Sequence, residues 1–536
     1  MIDKRRPYAP DALGFDDDDA AFLAREGFDT VRVGVIYKAV EPQPGVYDDA
    51  YLQRIENTVQ TLGRHGIYSL VDFHQDLYNE RFQGEGWPDW AVQDDGLPAQ
   101  PQAGFPGNYL VMPALQHAFD HFWNNDPGPG GVGLQDRYAA AWRHVATRFR
   151  DNPTVLGYDL LNEPWPGTAW QQCANPAGCP AFDALMSEFV TRMMAAIRQA
   201  DPDTLVYYEP NVLFNNGADT HLADTGDAHA AMSFHDYCLT ASEGNGGYGN
   251  CGQFDDLVFA NANKRADAAG DTLLLTEFGA TDARDVLLGV LERADRAMVG
   301  WQEWHYCGCS DPTTSGPGDK QAIVRDPSKP PAGDNLVKGT LDTIARPYPQ
   351  VVAGTPESWT FDPDKRVFDF AYSTKRAGGG GTFPAGSETE VAVPARQYGS
   401  GYAVAVQGGT IASAPGAALL RVASCADRVT VKVQPGSGAT SSCAAPSTAG
   451  ARRTRLSVKP TPRRVRAGRR VTVRVTVRAK GRAVRGAVVR IGRKRARTDS
   501  HGRGRIKIRF THAALRKVVA RAQGYGPGRA RLRVRR

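Results

Sequence analysis

Over residues 1–348, short apolar runs alternate with segments whose apolar positions recur at helical spacing. The runs fall at 28–36, 67–74, 155–161, 205–209, 230–235, 273–277 and 298–304. Each is short, rich in β-branched or aromatic residues, and ends in polar or charged ones, the pattern of a strand. Between them, residues 20–25, 49–65, 137–150 and 181–201 predict helices. This alternation predicts an α/β fold, a parallel sheet wrapped by helices. Seven strands are one short of a (β/α)8 TIM barrel, and only residues 1–4 could supply the first. The expectation is a first strand truncated by a start placed too far downstream, which would also have removed a signal peptide.

The pattern changes after Pro349. Residues 349–434 hold short alternating segments at 358–362, 366–372, 388–394, 402–406 and 428–433, which predict a small β-sandwich. Residues 435–450 (QPGSGATSSCAAPSTAG from 434) read as a linker. Residues 451–536 alternate strictly, as in RVTVRVTVR at 470–478, and predict a second, immunoglobulin-like β domain.

Charge divides the chain along the same boundary. Residues 451–536 carry 31 of the 64 Lys and Arg but only Asp499 of the 58 Asp and Glu, leaving 33 basic against 57 acidic residues in the rest. The overall +6 is therefore the average of an acidic body and a strongly cationic tail. Such a tail attracts polyanions, and an anionic membrane or cell-wall polymer is the expected partner. Specific nucleic-acid binding is not expected, because no aromatic residues interleave the cations. The alternative is a solubilising spacer. Eight cysteines suggest an oxidising, secreted or cell-surface location. Loop composition proposes the pairs Cys173 with Cys179, Cys238 with Cys251, and Cys425 with Cys443. Cys307 and Cys309 are left without an assigned pairing, and a metal site there is the weaker alternative, for lack of paired two-residue spacings.

The chemistry concentrates at strand ends. YDLLNEP at 158–164 places Glu163 after one strand, and LLTEFG at 274–279 places Glu277 at the end of another. Two facing carboxyls, one protonated and one ionised, are what retaining glycoside hydrolysis requires. A lone strand-end glutamate would more simply be an ion-pair partner. No nucleophile elbow, phosphate loop or zinc-binding His pair is present, and no metal or cofactor is implied.

These stretches resemble glycoside hydrolase family 5. The resemblance implies that Glu163 is the acid/base and Glu277 the nucleophile, with Arg32 orienting the latter. It further implies that His74 and Asn162 bind sugar, that His235 and Tyr237 contact the acid/base region and the nucleophile, and that Trp304 forms a sugar platform. Lys4 and Asp76 are candidate hydroxyl ligands, and Glu209 a competing carboxylate. Within the family, VDFHQD at 71–76, GEGWPDWA at 84–91, AFDHFW at 118–123, WHYCGCSDP at 304–312, FPAG at 383–386 and VPAR at 393–396 resemble the endoglycoceramidases. That resemblance covers about residues 1–434 and implies a glycolipid substrate, cut between glycan and ceramide. A lipid-binding lid would then be formed by Trp87, Trp90, Phe119 and Trp123, with Phe105 and Phe122; the alternative for these aromatics is a satellite core beneath the long 79–136 excursion. Other functional readings are an exo-β-glucosidase on glucosylceramide or steryl glucoside, an endo-β-glucanase, and a non-catalytic carbohydrate- or surface-binding protein. A monomer is expected.

Overall fold

The computed structural model describes residues 1–238, 248–249, 251–309, 311–313, 320–444, 455–492, 494–522, 525 and 527–535. The chain forms two compact units, Met1–Ala445 and Pro446–Arg536.

Seven parallel strands run in sequence order through the first unit: β1 (Thr30–Ile36), β2 (Tyr68–His74), β3 (Val155–Asp159), β4 (Leu205–Tyr208), β5 (Ala230–Asp236), β6 (Thr272–Phe278) and β7 (Gly300–Trp301). Their bounds lie close to those that the apolar runs predict. Helices connect them, and local chemistry sets where these start and stop. Asp16 accepts the Asp18 amide in a capping box that opens the helix Asp17–Glu26, which Gly27 closes at φ 92°. The helix Asp49–Arg64 buries Leu52, Ile55, Val59 and Leu62, one stripe at helical spacing, against the sheet.

The edge beside β1 shows what occupies the place of a first barrel strand. The Met1 amine donates to the Arg32 carbonyl, and the Gly34 amide donates to the Met1 carbonyl at 3.0 Å. A Cβ on Gly34 would come within 2.5 Å of the Ile2 side chain, so glycine permits this approach. Next to this short segment, a cavity of about 370 Å³ separates β1 from β7, lined in part by Phe28, Val31, Leu274 and Trp301.

The 79–136 excursion is not a structureless loop. It contains the helices Gly107–Val111 and Pro113–Trp123. It also begins with a tight return in which Asp76 and Glu85 exchange backbone hydrogen bonds of 3.0 and 2.8 Å. Trp87 stacks on Tyr78 with 4.2 Å between ring centroids, and Phe119 and Phe122 pack edge-on against Trp87.

The domain after the barrel is all-β, as its alternating segments predict, and its strands are continuous. Nine strands between Tyr348 and Ser442 belong to one hydrogen-bonded sheet, not two separate ones. The strand Ala439–Ser442 links its halves, running parallel to Tyr402–Gln407 and antiparallel to Gly409–Ile411. This strand lies in the stretch read as linker. Its four small residues are all exposed, so no apolar alternation betrays it, and the Cys425–Cys443 disulfide anchors it. Residues 445–450 of that linker lie outside the described residues. The domain is tied to the barrel by Arg396, which pairs with Glu26 at 2.6 Å, and by Trp359, whose indole nitrogen donates to Asp295 at 2.9 Å. Besides Cys425–Cys443, disulfides join Cys173 to Cys179, Cys238 to Cys251 and Cys307 to Cys309.

The second unit contains two sheets enclosing a core of Val473, Val475, Val477, Val489, Ile491, Val518 and Leu532. Cations occupy the outward positions of its strands.

Candidate active site

The C-terminal parts of β2–β6, with Arg32 from within β1, bring a dense cluster of charges together. Arg32 is its centre. Charged side chains inside apolar strands must find partners, and this guanidinium finds four carboxylates: Asp72 at 3.0 Å, Asp159 at 3.0 Å, Glu209 at 2.8 Å and Glu277 at 2.6 Å. It also donates to the Asn162 side-chain oxygen at 3.0 Å. Sheet register explains part of the grouping, because Asp72 of β2 pairs with Gly34 of β1 on one side and with Asp159 of β3 on the other.

Glu163 and Glu277 face each other across this cluster. Together with His235 they present side-chain atoms that all lie within 4.8 Å of one another. Glu277 accepts from Arg32 through one oxygen and from the Tyr237 hydroxyl through the other, at 2.9 Å. Glu163 lies in different surroundings. Its Oε1 accepts from Asn215 Nδ2 at 2.7 Å and faces His235 Nδ1 at 2.9 Å. Burial pushes the Glu163 carboxyl above the ordinary range, His235 works in the opposite direction, and the nearby charge of Glu277 raises it further. His235 is fully buried; burial disfavours its charged form, but Glu209, Glu277 and Glu163 outweigh that and hold its pKa well above the ordinary value.

A second polar group adjoins the pair. Lys4 reaches Asp76 at 2.5 Å, Thr313 at 2.8 Å and Asp311 at 3.3 Å, and its ammonium lies 4.7 Å from the centre of the Trp304 ring. Trp304 is stacked with His74 at 5.5 Å. Burial opposes ionisation of Asp76, but Lys4 and His74 hold its pKa down at about 2. His74 is pushed up to about 9, since Asp72 and Asp76 overcome its burial. His74, Asp76 and Glu85 are also close enough to form a metal-ligand set, but the Lys4 ammonium sits 3.8 Å from Glu85 and occupies the charge-compensating position.

A cleft of about 230 Å³ opens over both glutamates. Lys4, His74, Asp76, Thr313 and Trp304 give it a polar side, while Phe105, Tyr109, Leu110, Trp165, Val212 and Leu213 give it an apolar one. The aromatics expected to form a lid lie elsewhere. Trp87, Phe119 and Trp123 are at most 4 % exposed and do not line the cleft, and Trp90 donates to the Glu41 carbonyl. They belong to the main apolar core of the barrel, where Trp87 stacks on Tyr78 and Tyr138, and Phe122 and Trp123 pack edge-on against Phe189. Phe105, from the same group, does reach the cleft.

Asp72, Asp159 and Asn215 join the site without belonging to the residues that mark it in the sequence. For the two aspartates a signal existed: each is an acid inside an apolar strand of a parallel sheet, where only a buried cation makes it tolerable. Asn215 lies in the short 3-10 helix Val212–Asn216, outside any motif, and nothing in its neighbourhood marks it.

The sequence profile described as Cellulase (glycosyl hydrolase family 5) matches residues 11–309, and that of the glycoside hydrolase family 5 C-terminal domain matches residues 346–434. The chain is 35 % identical to Endoglycoceramidase I of Rhodococcus hoagii (strain 103S) over 450 residues, covering 81 % of this chain and 84 % of the relative. Among solved structures it is similar to endo-glycoceramidase II from Rhodococcus sp. in complex with a five-membered iminocyclitol, with a TM-score of 0.64 at 32 % identity over 80 % of this chain and 94 % of that one. The same enzyme in complex with ganglioside GM3 gives a TM-score of 0.65 at 31 % identity, over 79 % and 93 % of the two chains. A barrel whose strand ends gather these carboxylates, followed by the matching C-terminal domain, identifies the chain as a member of glycoside hydrolase family 5.

Proposed function

We propose that the protein hydrolyses the β-glycosidic bond between the glycan and the lipid of a glycolipid, with retention of configuration. Glu163 is the acid/base and Glu277 the nucleophile. The carrying observation is the facing pair itself, with an oxygen of one within 4.8 Å of an oxygen of the other. That spacing suits direct attack on the anomeric carbon and leaves no room for the intervening water of an inverting enzyme. Glu163 protonates the leaving oxygen while Glu277 attacks; water, deprotonated by Glu163, then releases the glycan. Arg32 and Tyr237 orient the nucleophile. Lys4, His74, Asp76, Asn162 and Trp304 bind the sugar.

The aglycone stands on the side of the residue that protonates it. Here that side is apolar: Trp165 and Val212 flank Glu163, and Tyr109 packs on Trp165 with 4.8 Å between ring centroids. Leu110 and Val111 are more than two-fifths exposed, continuing the apolar surface outward. A lipid fits this half of the cleft better than another sugar does, in keeping with the substrates named for the relatives. Incubation with glycosylceramides, steryl glucosides and cello-oligosaccharides, with products separated by chromatography, tests the assignment. Release of intact glycan from ceramide is expected; cleavage of cello-oligosaccharides alone would overturn it. Glu277→Ala is expected to lower kcat by about 10⁴-fold or more, and full activity in that variant would remove the mechanism.

We also propose that the second unit holds the enzyme, outside the cell, on an anionic surface, where its substrate is concentrated. The four disulfides support an oxidising location. Arg470 is directly opposite Arg509 and Arg474 opposite Arg505, and among the described residues no acid pairs with any of them. Removal of residues 446–536 should abolish binding to vesicles containing phosphatidylserine, and salt should weaken the binding of the whole chain. Unchanged vesicle binding by the truncated chain would sink this reading.

A further inference from the structure

The segment after β4 runs from Glu209 to Asn216 and touches Glu163 at two points and its neighbour Pro164 at a third. The Glu163 amide donates to Glu209 Oε2 at 2.9 Å, the Val212 amide donates to the Pro164 carbonyl at 3.1 Å, and Asn215 Nδ2 donates to Glu163 Oε1 at 2.7 Å. Glu163 itself has φ 44°, in the left-handed region that a residue with a Cβ enters only at a cost. Surroundings must hold it there. Glu209 is suited to do so: it is 4 % exposed, and its Oε1 accepts from Arg32 at 2.8 Å and faces His235 Nε2 at 3.2 Å. Since Arg32 also binds Glu277, one carboxylate joins the backbone of the first glutamate to the cation that orients the second.

We infer that Glu209 and Asn215 are positioning residues for Glu163, the first fixing its backbone and the second, with His235, occupying Oε1 so that Oε2 alone exchanges the proton. This rests on Glu163 being the acid/base. Two nitrogens converge on Oε1, whereas Oε2 makes no hydrogen bond among the described residues, and the side chain is 12 % exposed, toward the cleft it lines. An acidic hydrogen on Oε1 would point at donors already present; on Oε2 it points at the substrate. In the first step the Oε2–H bond breaks and the proton moves to the glycosidic oxygen. That oxygen keeps the electron pair of its bond to the anomeric carbon, while a Glu277 oxygen bonds to that carbon. In the second step a water proton passes to Oε2, the water oxygen bonds to the anomeric carbon, and the Glu277 carboxylate departs. Neither positioning residue touches the reacting atoms.

The test compares wild type, Asn215→Ala, Glu209→Gln and Glu163→Ala on phenyl and 2,4-dinitrophenyl glycosides of the glycan that the wild type releases. Dinitrophenolate leaves without protonation, so a defect in the acid disappears from kcat/KM with that substrate. Glu163→Ala should lose about 100-fold or more on the phenyl glycoside and little on the other. Asn215→Ala should show the same asymmetry at about 10-fold, with the alkaline limb of its pH profile moved upward because a donor to the carboxylate is gone. Glu209→Gln should lose rate on both substrates and more on the phenyl one. Equal losses on both substrates in Asn215→Ala, beside a steep dependence in Glu163→Ala, would overturn the inference. A flat response in Glu163→Ala would instead overturn the acid/base assignment. Asn215 lies on the cleft wall, so its variant decides the matter even where Glu209→Gln does not fold.

Discussion

The barrel and the C-terminal module both concentrate charge, but they do so in opposite ways. In the barrel, Arg32 is buried and shared among four carboxylates, and nearly every charged group near it has a named partner. In the module, cations stand on exposed strand positions, opposite one another and without acids. Buried charges cost far too much to be left alone, so their partners are fixed by the fold and their geometry can serve chemistry. Exposed charges cost little singly, so the fold tolerates a surplus that only an external anion compensates. Removing a cation should therefore have opposite effects in the two regions.

The largest effect is expected at Arg32. Arg32→Met strands Asp72, Asp159, Glu209 and Glu277 together, and loss of one partner from a buried ion pair costs about 3–5 kcal/mol. A fall of that size in denaturant unfolding is the expected result. The loss should be smaller at pH 5 than at pH 8, since protonation of the abandoned carboxylates relieves it. A variant of wild-type stability at both pH values would mean that the network is not what holds these strand ends together.

The pH dependence of stability is a gentler probe of the same network. His74, raised to about 9 from an ordinary 6.5, contributes stability fully present below pH 6.5 and lost as pH rises through 9. Asp159 is raised to about 8: burial is the main cause, Arg32 opposes it, and Glu209 and Asp72 add to it. It therefore retains a proton that the unfolded chain has lost, and stability falls from about pH 4 toward 8. Asp76, held at about 2, works the other way, and its contribution disappears as pH falls from 4 toward 2. Together they place maximal stability on the mildly acidic side. Thermal unfolding should show a midpoint declining between pH 6.5 and 9, by about 1 °C for each kcal/mol lost in a unit of this length. His74→Asn should flatten that decline; an unchanged slope would exclude His74 as its source.

Charge and pattern also decide how much was legible in the sequence. The seven barrel strands show because buried parallel strands are nearly continuous apolar runs. Glu163 and Glu277 stand out because each ends such a run within a recognisable motif. The strand Ala439–Ser442 is not legible because its small exposed residues resemble a linker, and only a disulfide and two neighbours make it a strand. The aromatics of the 79–136 excursion misled in the other direction: Gly and Pro around Trp87 suggest an open loop, but Tyr78 lies stacked beneath it. What could not be read was three-dimensional convergence, above all that Glu209 and Asn215, six residues apart in one segment, meet Glu163 at its backbone and its carboxyl.

The smallest expected effect has the reverse sign. Arg474 is exposed on its strand, directly across from Arg505, and like charges in that position destabilise a sheet by roughly 0.2–1 kcal/mol. Arg474→Thr keeps a strand-forming side chain, continues the Thr472 and Thr476 positions on the same face, and removes the repulsion. The module should therefore become slightly more stable at low salt, with the gain fading as salt screens the pair. Binding to phosphatidylserine vesicles should weaken at the same time, because the repulsion exists in the free protein and is relieved when an anion lies across the strands. Stability and binding moving in opposite directions would separate a surface kept cationic for a partner from one whose arginines merely decorate a stable sheet. A loss of stability in Arg474→Thr would show that the arginine packs rather than repels.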